Sequence, residues 1–224
     1  MTTAKIVKNI FRDFYWKRLN HFFLKYLLTY NQKKSEHPDI FFSGDPVRTC
    51  SIYLALKRLD QEGIQGDCAE VGVFRGDLSK IIKRLSPSRR FYLFDTFQGF
   101  PEEDLKGVND DRFKDTTLDY VKQNIGNTEN IEFRIGYFPD SALGLEAVRF
   151  AFVMLDTDKY ESILAGLRFF YPRMVRGGYL FIHDFNSPES DWGVSRAVNQ
   201  YLSDKTEKPI ELPDGCGSLV LRKS

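Results

Sequence analysis

The sequence is poor in the features that would class it quickly. It has three cysteines, Cys50, Cys68 and Cys216. Their number is odd and no C-x-x-C spacing joins them, which excludes a disulfide framework and a structural zinc site, so they read as reduced, mostly buried thiols. Net charge is nearly absent, +1 from 32 basic and 31 acidic side chains, which removes any global electrostatic drive toward nucleic acid or acidic substrates. There is no internal repeat and no low-complexity segment. No apolar window reaches the ~18 residues needed to span a bilayer. The N-terminal stretch lacks the apolar run and small-residue cleavage site of a signal peptide, so a cytoplasmic location is expected.

What remains is an ordinary globular composition, 42% hydrophobic and 28% charged, in a chain long enough for one sizeable core. The charge is unevenly placed. Lys5, Lys8, Arg12, Lys17, Arg18, Lys25, Lys33 and Lys34 face only Asp13 before residue 35, and the rest of the chain is net acidic. Within this basic stretch Phe11, Phe14, Tyr15, Leu19, Phe22, Phe23, Tyr26 and Leu27 recur at helical spacing. Basic residues mixed with Trp16 suit an anionic membrane surface, as peripheral contact. The favoured reading is a helix packed on the catalytic domain, lining the acceptor pocket or a homodimer contact. Nucleic acid is not expected, because no recognition motif accompanies the charge.

Periodicity divides the chain into an N-terminal helical extension, residues 1–66, and an α/β domain, residues 67–224. A helix from Pro46 to about Leu59, ended by Glu62-Gly63, closes the first part. The second alternates apolar strands (Cys68 to Val73, Phe91 to Asp95, Ile131 to Ile135, Phe150 to Leu155, Tyr179 to Ile182, Ser218 to Leu221) with helical patterns (Leu78 to Leu85, Leu118 to Ile125, Tyr160 to Phe170, Val194 to Leu202). This is the signature of a doubly wound, Rossmann-like, mostly parallel sheet. The polar stretch from Phe97 to Thr116 reads as an active-site flap, with Phe97, Phe100 and Phe113 able to close over the site.

Chemistry-bearing residues stand at the ends of the strands. Glu70-Val71-Gly72-Val73-Phe74-Arg75-Gly76 follows an apolar strand and opens a helix, so Gly72 allows a tight turn and Gly76 lets the helix N-terminus approach a ligand. The spacing is not the dinucleotide G-x-G-x-x-G. A carboxylate at Glu70 would repel a pyrophosphate and attract the cationic sulfonium and ammonium of S-adenosylmethionine. Asp95, at the next strand end, is placed for ribose hydroxyls, with Thr96 beside it. Asp156 and Asp158 emerge after the unbroken apolar run Phe150 to Leu155, and His183-Asp184 after the following strand. Asp156, Asp184 and His183 form a metal-competent set, the acids suiting Mg²⁺ and the histidine shifting preference toward Mn²⁺ or Zn²⁺. Structural alternatives stand beside these roles. His183 can simply donate to Asp184 or to a backbone carbonyl, and Asp158 can cap the helix that follows.

Taken together these residues resemble the macrocin O-methyltransferase family, metal-dependent enzymes that methylate sugar hydroxyls in natural products. The resemblance spans roughly Gly66 to Lys223. It rests on Glu70-Val-Gly-Val-Phe-Arg-Gly76, Phe94-Asp-Thr-Phe-Gln-Gly-Phe-Pro101, Gly136-Tyr-Phe-Pro-Asp140, Leu155-Asp-Thr-Asp-Lys-Tyr160, Tyr171-Pro-Arg-Met-Val-Arg-Gly-Gly178 and His183-Asp-Phe185. It implies a class I methyltransferase fold with a seven-stranded sheet, and transfer of a methyl group from S-adenosylmethionine to a saccharide hydroxyl, assisted by Mg²⁺ or another divalent ion. By the same resemblance Glu70, Gly72 and Asp95 hold the cofactor, with Gly136, Tyr137 and Phe138 near the adenine. Asp156 and Asp184 bind metal, and Asp158 is the general base; His183 joins the catalytic candidates from its place at the strand end beside Asp184, not from the resemblance. Gly76, Thr96 and Asp156 complete the cofactor candidates. One departure is plain: where the family often carries paired acids, this chain has His183-Asp184. An NAD-dependent sugar dehydrogenase and a non-catalytic cofactor-binding scaffold are the competing readings.

Overall fold

The computed structural model describes residues 45–105 and 109–224. The basic aromatic segment, with its membrane and dimer readings, lies outside the described residues. No helix of the described residues is long and apolar enough to cross a membrane.

Seven strands form one sheet in the order β3-β2-β1-β4-β5-β7-β6. They are β1 (Asp67–Val71), β2 (Phe91–Asp95), β3 (Ile131–Ile135), β4 (Phe150–Leu155), β5 (Met174–Ile182), β6 (Ile210–Leu212) and β7 (Ser218–Arg222). The first five run parallel, while β7 pairs antiparallel with β5 and β6 antiparallel with β7. β4 sits at the centre because all six of its residues are apolar, and all six are buried, as a strand covered on both faces must be. β5 starts five residues earlier than its apolar run, since Arg176-Gly177-Gly178 interrupts the pattern without ending the pairing. β6 was not expected: three largely exposed residues on a sheet edge carry too little alternation to read.

Helices cover both faces, which is why consecutive strand residues are buried alike. On one side α1 (Pro46–Gln61), α2 (Asp77–Leu85) and α4 (Leu118–Ile125) place Ile52, Leu56, Leu59, Ile82, Val121 and Ile125 against Cys68, Phe91, Leu93, Phe152, Met154 and Phe181. On the other, α5 (Tyr160–Phe170) and α6 (Gly193–Leu202) place Ile163, Leu167, Phe170, Val194 and Val198 against Val71, Phe94, Val153, Leu180 and Ile182. Helix α1 thus belongs to the same core as the sheet, although the sequence pattern groups it with the N-terminal extension. Asp45 caps it, accepting from the amides of Val47 and Arg48 at 3.1 Å. A short α3 (Glu102–Leu105) lies inside the polar flap. Cys50 and Cys68 are free and buried as expected; Cys216 is free but exposed, in the loop before β7.

The direction of strand progression reverses between β1 and β4, and the carboxyl ends there open the crevice where such sheets bind ligands. Backbone bonds align the residues beyond those ends in a row. The Gly136 amide donates to the Asp95 carbonyl (3.0 Å), that of Gly72 to Phe94 (2.9 Å), that of Asp156 to Val71 (2.8 Å) and that of His183 to Leu155 (2.9 Å).

Candidate active site

The crevice holds a cavity of about 420 Å³, lined from the β2–β3 side by Asp95, Thr96, Gly136, Tyr137 and Phe138, and from the β4–β5 side by Asp156, Thr157, Asp158, His183 and Asp184. Gly72 sits between. Its φ is +88°, and a Cβ there would fall 1.9 Å from the carbonyl oxygen of Asp156, so the turn exists only because glycine lets the β1 and β4 ends touch. Glu70 points inward at 2% exposure and accepts from the Ser79 hydroxyl at 2.5 Å. Burial, which strips its solvation, together with the charges of Asp156 and Asp95, outweighs the Ser79 bond and Arg48 and pushes its pKa up to about 8. A ligand cation would reverse that.

The Asp95 carboxylate already serves the turn. Oδ2 accepts from the amides of Val73 (2.7 Å) and Phe74 (2.8 Å), and Oδ1 from that of Phe97 (2.7 Å). Thr96 acts locally, its hydroxyl donating to the Gly99 carbonyl at 2.6 Å. Gly136 has φ +123° and nothing within 4 Å of where a Cβ would be, so its backbone faces open space. The Phe138 ring is core, stacked on Phe170 at 5.5 Å, although the residue borders the cavity. Gly76 is not among the cavity-lining residues. A Cβ there would meet Val121 at 2.9 Å and Ile125 at 3.3 Å, so its smallness serves the packing of α2 on α4 rather than the approach of a ligand.

At the other end His183 bridges the acids. Its Nδ1 lies 3.0 Å from Asp156 Oδ1 and 3.1 Å from Asp184 Oδ2, and its Nε2 lies 3.0 Å from the Gly215 carbonyl. A carbonyl only accepts, so Nε2 carries a hydrogen. Burial by itself would lower the histidine pKa, but the charge of Asp156 and hydrogen bonds with both acids raise it to about 11, giving an imidazolium between two carboxylates. Asp158 is buried with φ +59°, and does not cap α5, whose N-cap is Lys159. Its side chain turns to Asp184 instead. Burial first, then the hydrogen bond and charge of Asp184, raise the Asp158 pKa, so this carboxyl holds the proton of the pair. Burial opposes ionisation of Asp184 as well, but its bonds with His183 and Asp158 prevail and depress its pKa.

Ligand atoms of Asp156, His183 and Asp184 lie within 4.8 Å of one another. The set fits a divalent cation: two hard carboxylates, plus an imidazole whose second nitrogen is oriented by a backbone carbonyl. The cavity also fits a polar ligand, because the Thr157 hydroxyl oxygen is buried there without a hydrogen-bond partner among the described residues.

Several lining residues escaped sequence reasoning, among them Arg48, Arg112 and Glu189. Arg48, in the first turn of α1, reaches Asp156 Oδ2 at 3.3 Å. Arg112, from the flap, contacts Asp110 at 2.8 Å, Glu189 at 3.4 Å and Asp158 Oδ2 at 3.5 Å. Glu189 itself follows β5 and borders the cavity. No local pattern links them to the site, since Arg48 meets Asp156, and Arg112 meets Asp158 and Glu189, across long chain separations. From the flap, Phe113 is centred 5.2 Å from Phe100 and 5.0 Å from Phe74 of the β1–α2 turn, and all three line the cavity. Phe97 is not part of that group: it is 5% exposed and packs toward Phe133 in the core.

Comparison with known proteins gives the family and the fold. A family model described as Macrocin-O-methyltransferase (TylF) matches residues 47–220. The 8-demethyl-8-(2,3-dimethoxy-alpha-L-rhamnosyl)-tetracenomycin-C 4'-O-methyltransferase of Streptomyces olivaceus is 29% identical over 73% of this chain and 72% of its own. The mycinamicin III 3''-O-methyltransferase of Micromonospora griseorubida is 27% identical over 63% of this chain and 62% of its own. Among solved structures, the O-methyltransferase NovP superposes with a TM-score of 0.67 at 23% identity over 80% of both chains. The calicheamicin methyltransferase CalS11 does so with 0.63 at 21% identity over 90% of both. These two show the shared fold.

Proposed function

The chain belongs to the macrocin O-methyltransferase family and is an S-adenosylmethionine-dependent O-methyltransferase, and from that premise we propose that it methylates a sugar hydroxyl of a glycosylated small molecule with the help of a divalent metal ion. The observation that carries this reading is one cavity bounded by Glu70, Gly72 and Asp95 at one end and by Asp156, Asp158, His183 and Asp184 at the other. The relatives' names, one for a rhamnosyl-bearing compound, support the acceptor class. Membership of a methyltransferase family removes the dehydrogenase reading.

Bound in the cavity, S-adenosylmethionine would supply a methyl group on a cationic sulfur, while Mg²⁺ held by Asp156, Asp184 and His183, its imidazole neutral once Nδ1 gives up its proton, would supply a positive charge that acidifies a nearby hydroxyl and favours ionised Asp158. Glu70 would meet the ligand's positive charge, and Asp95, with Thr96 beside it, would take a ribose hydroxyl on the one acceptor position, at Oδ1, left by its three amide bonds. Gly136, Tyr137 and Phe138 would border the adenine. Before the acceptor binds, Asp158 must release its proton to solvent. It then accepts the acceptor's hydroxyl proton at a carboxylate oxygen, while that hydroxyl's oxygen takes the methyl group and the sulfur keeps the electron pair of the broken bond. General-base help of this kind contributes roughly 10²–10⁴ in rate, and alignment supplies much of the rest. Phe74, Phe100, Phe113 and Arg112 keep water from the reacting groups.

The test is transfer of labelled methyl from S-adenosylmethionine to a panel of rhamnosylated and other glycosylated acceptors, with the product located by mass spectrometry. Methylation of a sugar oxygen is the expected result. Methylation only of aglycone hydroxyls would overturn the acceptor assignment, and binding of S-adenosylhomocysteine without turnover on any acceptor would favour the scaffold reading.

A further inference from the structure

The cavity is crowded with acids: Glu70, Asp156, Asp158 and Asp184 all line it. The methionine portion of S-adenosylmethionine carries an ammonium and a carboxylate. Glu70 suits the first, but the second would be repelled by the cluster unless a cation met it. Three arginines line the cavity, Arg48, Arg75 and Arg112. Arg75 is paired with Asp115 and lies over the Phe74 ring, and Arg112 is shared among Asp110, Asp158 and Glu189. Arg48 differs. It enters from the first turn of α1 and, among the described residues, makes one side-chain contact, the 3.3 Å approach of Nη1 to Asp156 Oδ2. A guanidinium offers five donors in a planar fork that matches a carboxylate, so most of this fork remains for a ligand. It lines the cavity together with both Glu70 and His183.

The backbone that carries Arg48 is tethered to the same centre. Asp45 caps α1 and its Oδ2 accepts from the Gly215 amide at 2.7 Å, while the Gly215 carbonyl holds His183. The start of α1 is therefore fixed against the active-site loop. We propose that Arg48 binds the carboxylate of the methionine portion of S-adenosylmethionine, with Glu70 taking the ammonium, an inference that rests on this cavity being the cofactor site. It gives the helix before the first strand a direct part in cofactor recognition.

Calorimetry with S-adenosylhomocysteine and with its decarboxylated analogue, which keeps the thioether and ammonium, tests the assignment. Wild type is expected to prefer S-adenosylhomocysteine by about tenfold to a hundredfold, the range of a charge-assisted hydrogen-bonded pair. Arg48→Gln is expected to bind the analogue as wild type does and to lose that preference. Equal binding of both ligands by wild type, a preference retained in Arg48→Gln, or equal weakening toward both ligands would each overturn it, the last pointing to mere support of Asp156. Should Arg48→Gln not fold, Arg48→Lys carries the same comparison, and its preference must shrink because an ammonium cannot make the forked contact. Failure of wild type to bind S-adenosylhomocysteine at all would instead remove the cofactor reading itself.

Discussion

Two carboxyl groups at this site hold protons that carboxyls in water would release, and each makes a separate prediction. Asp158 owes its raised pKa to burial and to Asp184. Asp158→Asn keeps the size and polarity of the group but cannot accept a proton, so turnover is expected to fall at least ~10²-fold while S-adenosylhomocysteine affinity stays unchanged, read by steady-state kinetics and calorimetry. Unchanged turnover would reassign the base. Glu70, with an ordinary value of 4.5 and a folded value of about 8, makes a prediction about stability. Because the folded state binds its proton more tightly than the unfolded chain, stability is fullest below 4.5 and is lost as pH rises toward about 8. Glu70→Gln removes that loss. The drop in melting temperature of the ligand-free protein over this interval is expected to be smaller in the variant, by about 2–4 °C for each kcal/mol recovered; identical pH profiles would show that Glu70 is not held in its neutral form.

At the scale of elements, the site depends on how closely β1 approaches β4. Gly72→Ala combines a strained positive φ, costing about 1–3 kcal/mol, with a clash against the Asp156 carbonyl, costing about 1–3 kcal/mol or more. Gly136→Ala carries only the first cost, since its Cβ meets nothing within 4 Å. Urea midpoints are therefore expected to drop further for Gly72→Ala than for Gly136→Ala, whereas cofactor affinity suffers in both. Equal midpoints would mean that the β1–β4 contact can relax. The flap works at this scale too. Arg112 ties it to Asp158 and to Glu189, so flap position and the state of the acids are linked by one guanidinium.

For the whole molecule, the row of strand ends sums to a centre with more acids than cations, which His183 neutralises in part as an imidazolium. A divalent ion would take over that role. Dialysis against a chelator is expected to abolish methyl transfer, with restoration by Mg²⁺, while S-adenosylhomocysteine still raises the melting temperature because its binding surface lies mostly toward Glu70 and Asp95. Full turnover in the chelator would assign the charge neutralisation to His183 itself.

The acidic strand ends were legible because they depend on local pattern. An apolar run that ends in Asp95, Asp156 or His183-Asp184 becomes a buried strand, and parallel pairing then delivers each terminal residue to the same sheet edge. The doubly wound alternation follows from the same periodicity. What the chain alone did not disclose were the partners that come from elsewhere. Arg48 lies 108 residues from Asp156 and Arg112 sits in a polar loop without period, so no spacing rule links either to the acids. Gly76 and Phe97 were read as ligand-facing from their neighbours in sequence, and three-dimensional packing against Val121 and Phe133 decided otherwise. Hydrophobic period is a property of neighbouring residues and survives in one dimension; charge pairing and close packing are properties of distances that only the folded chain sets.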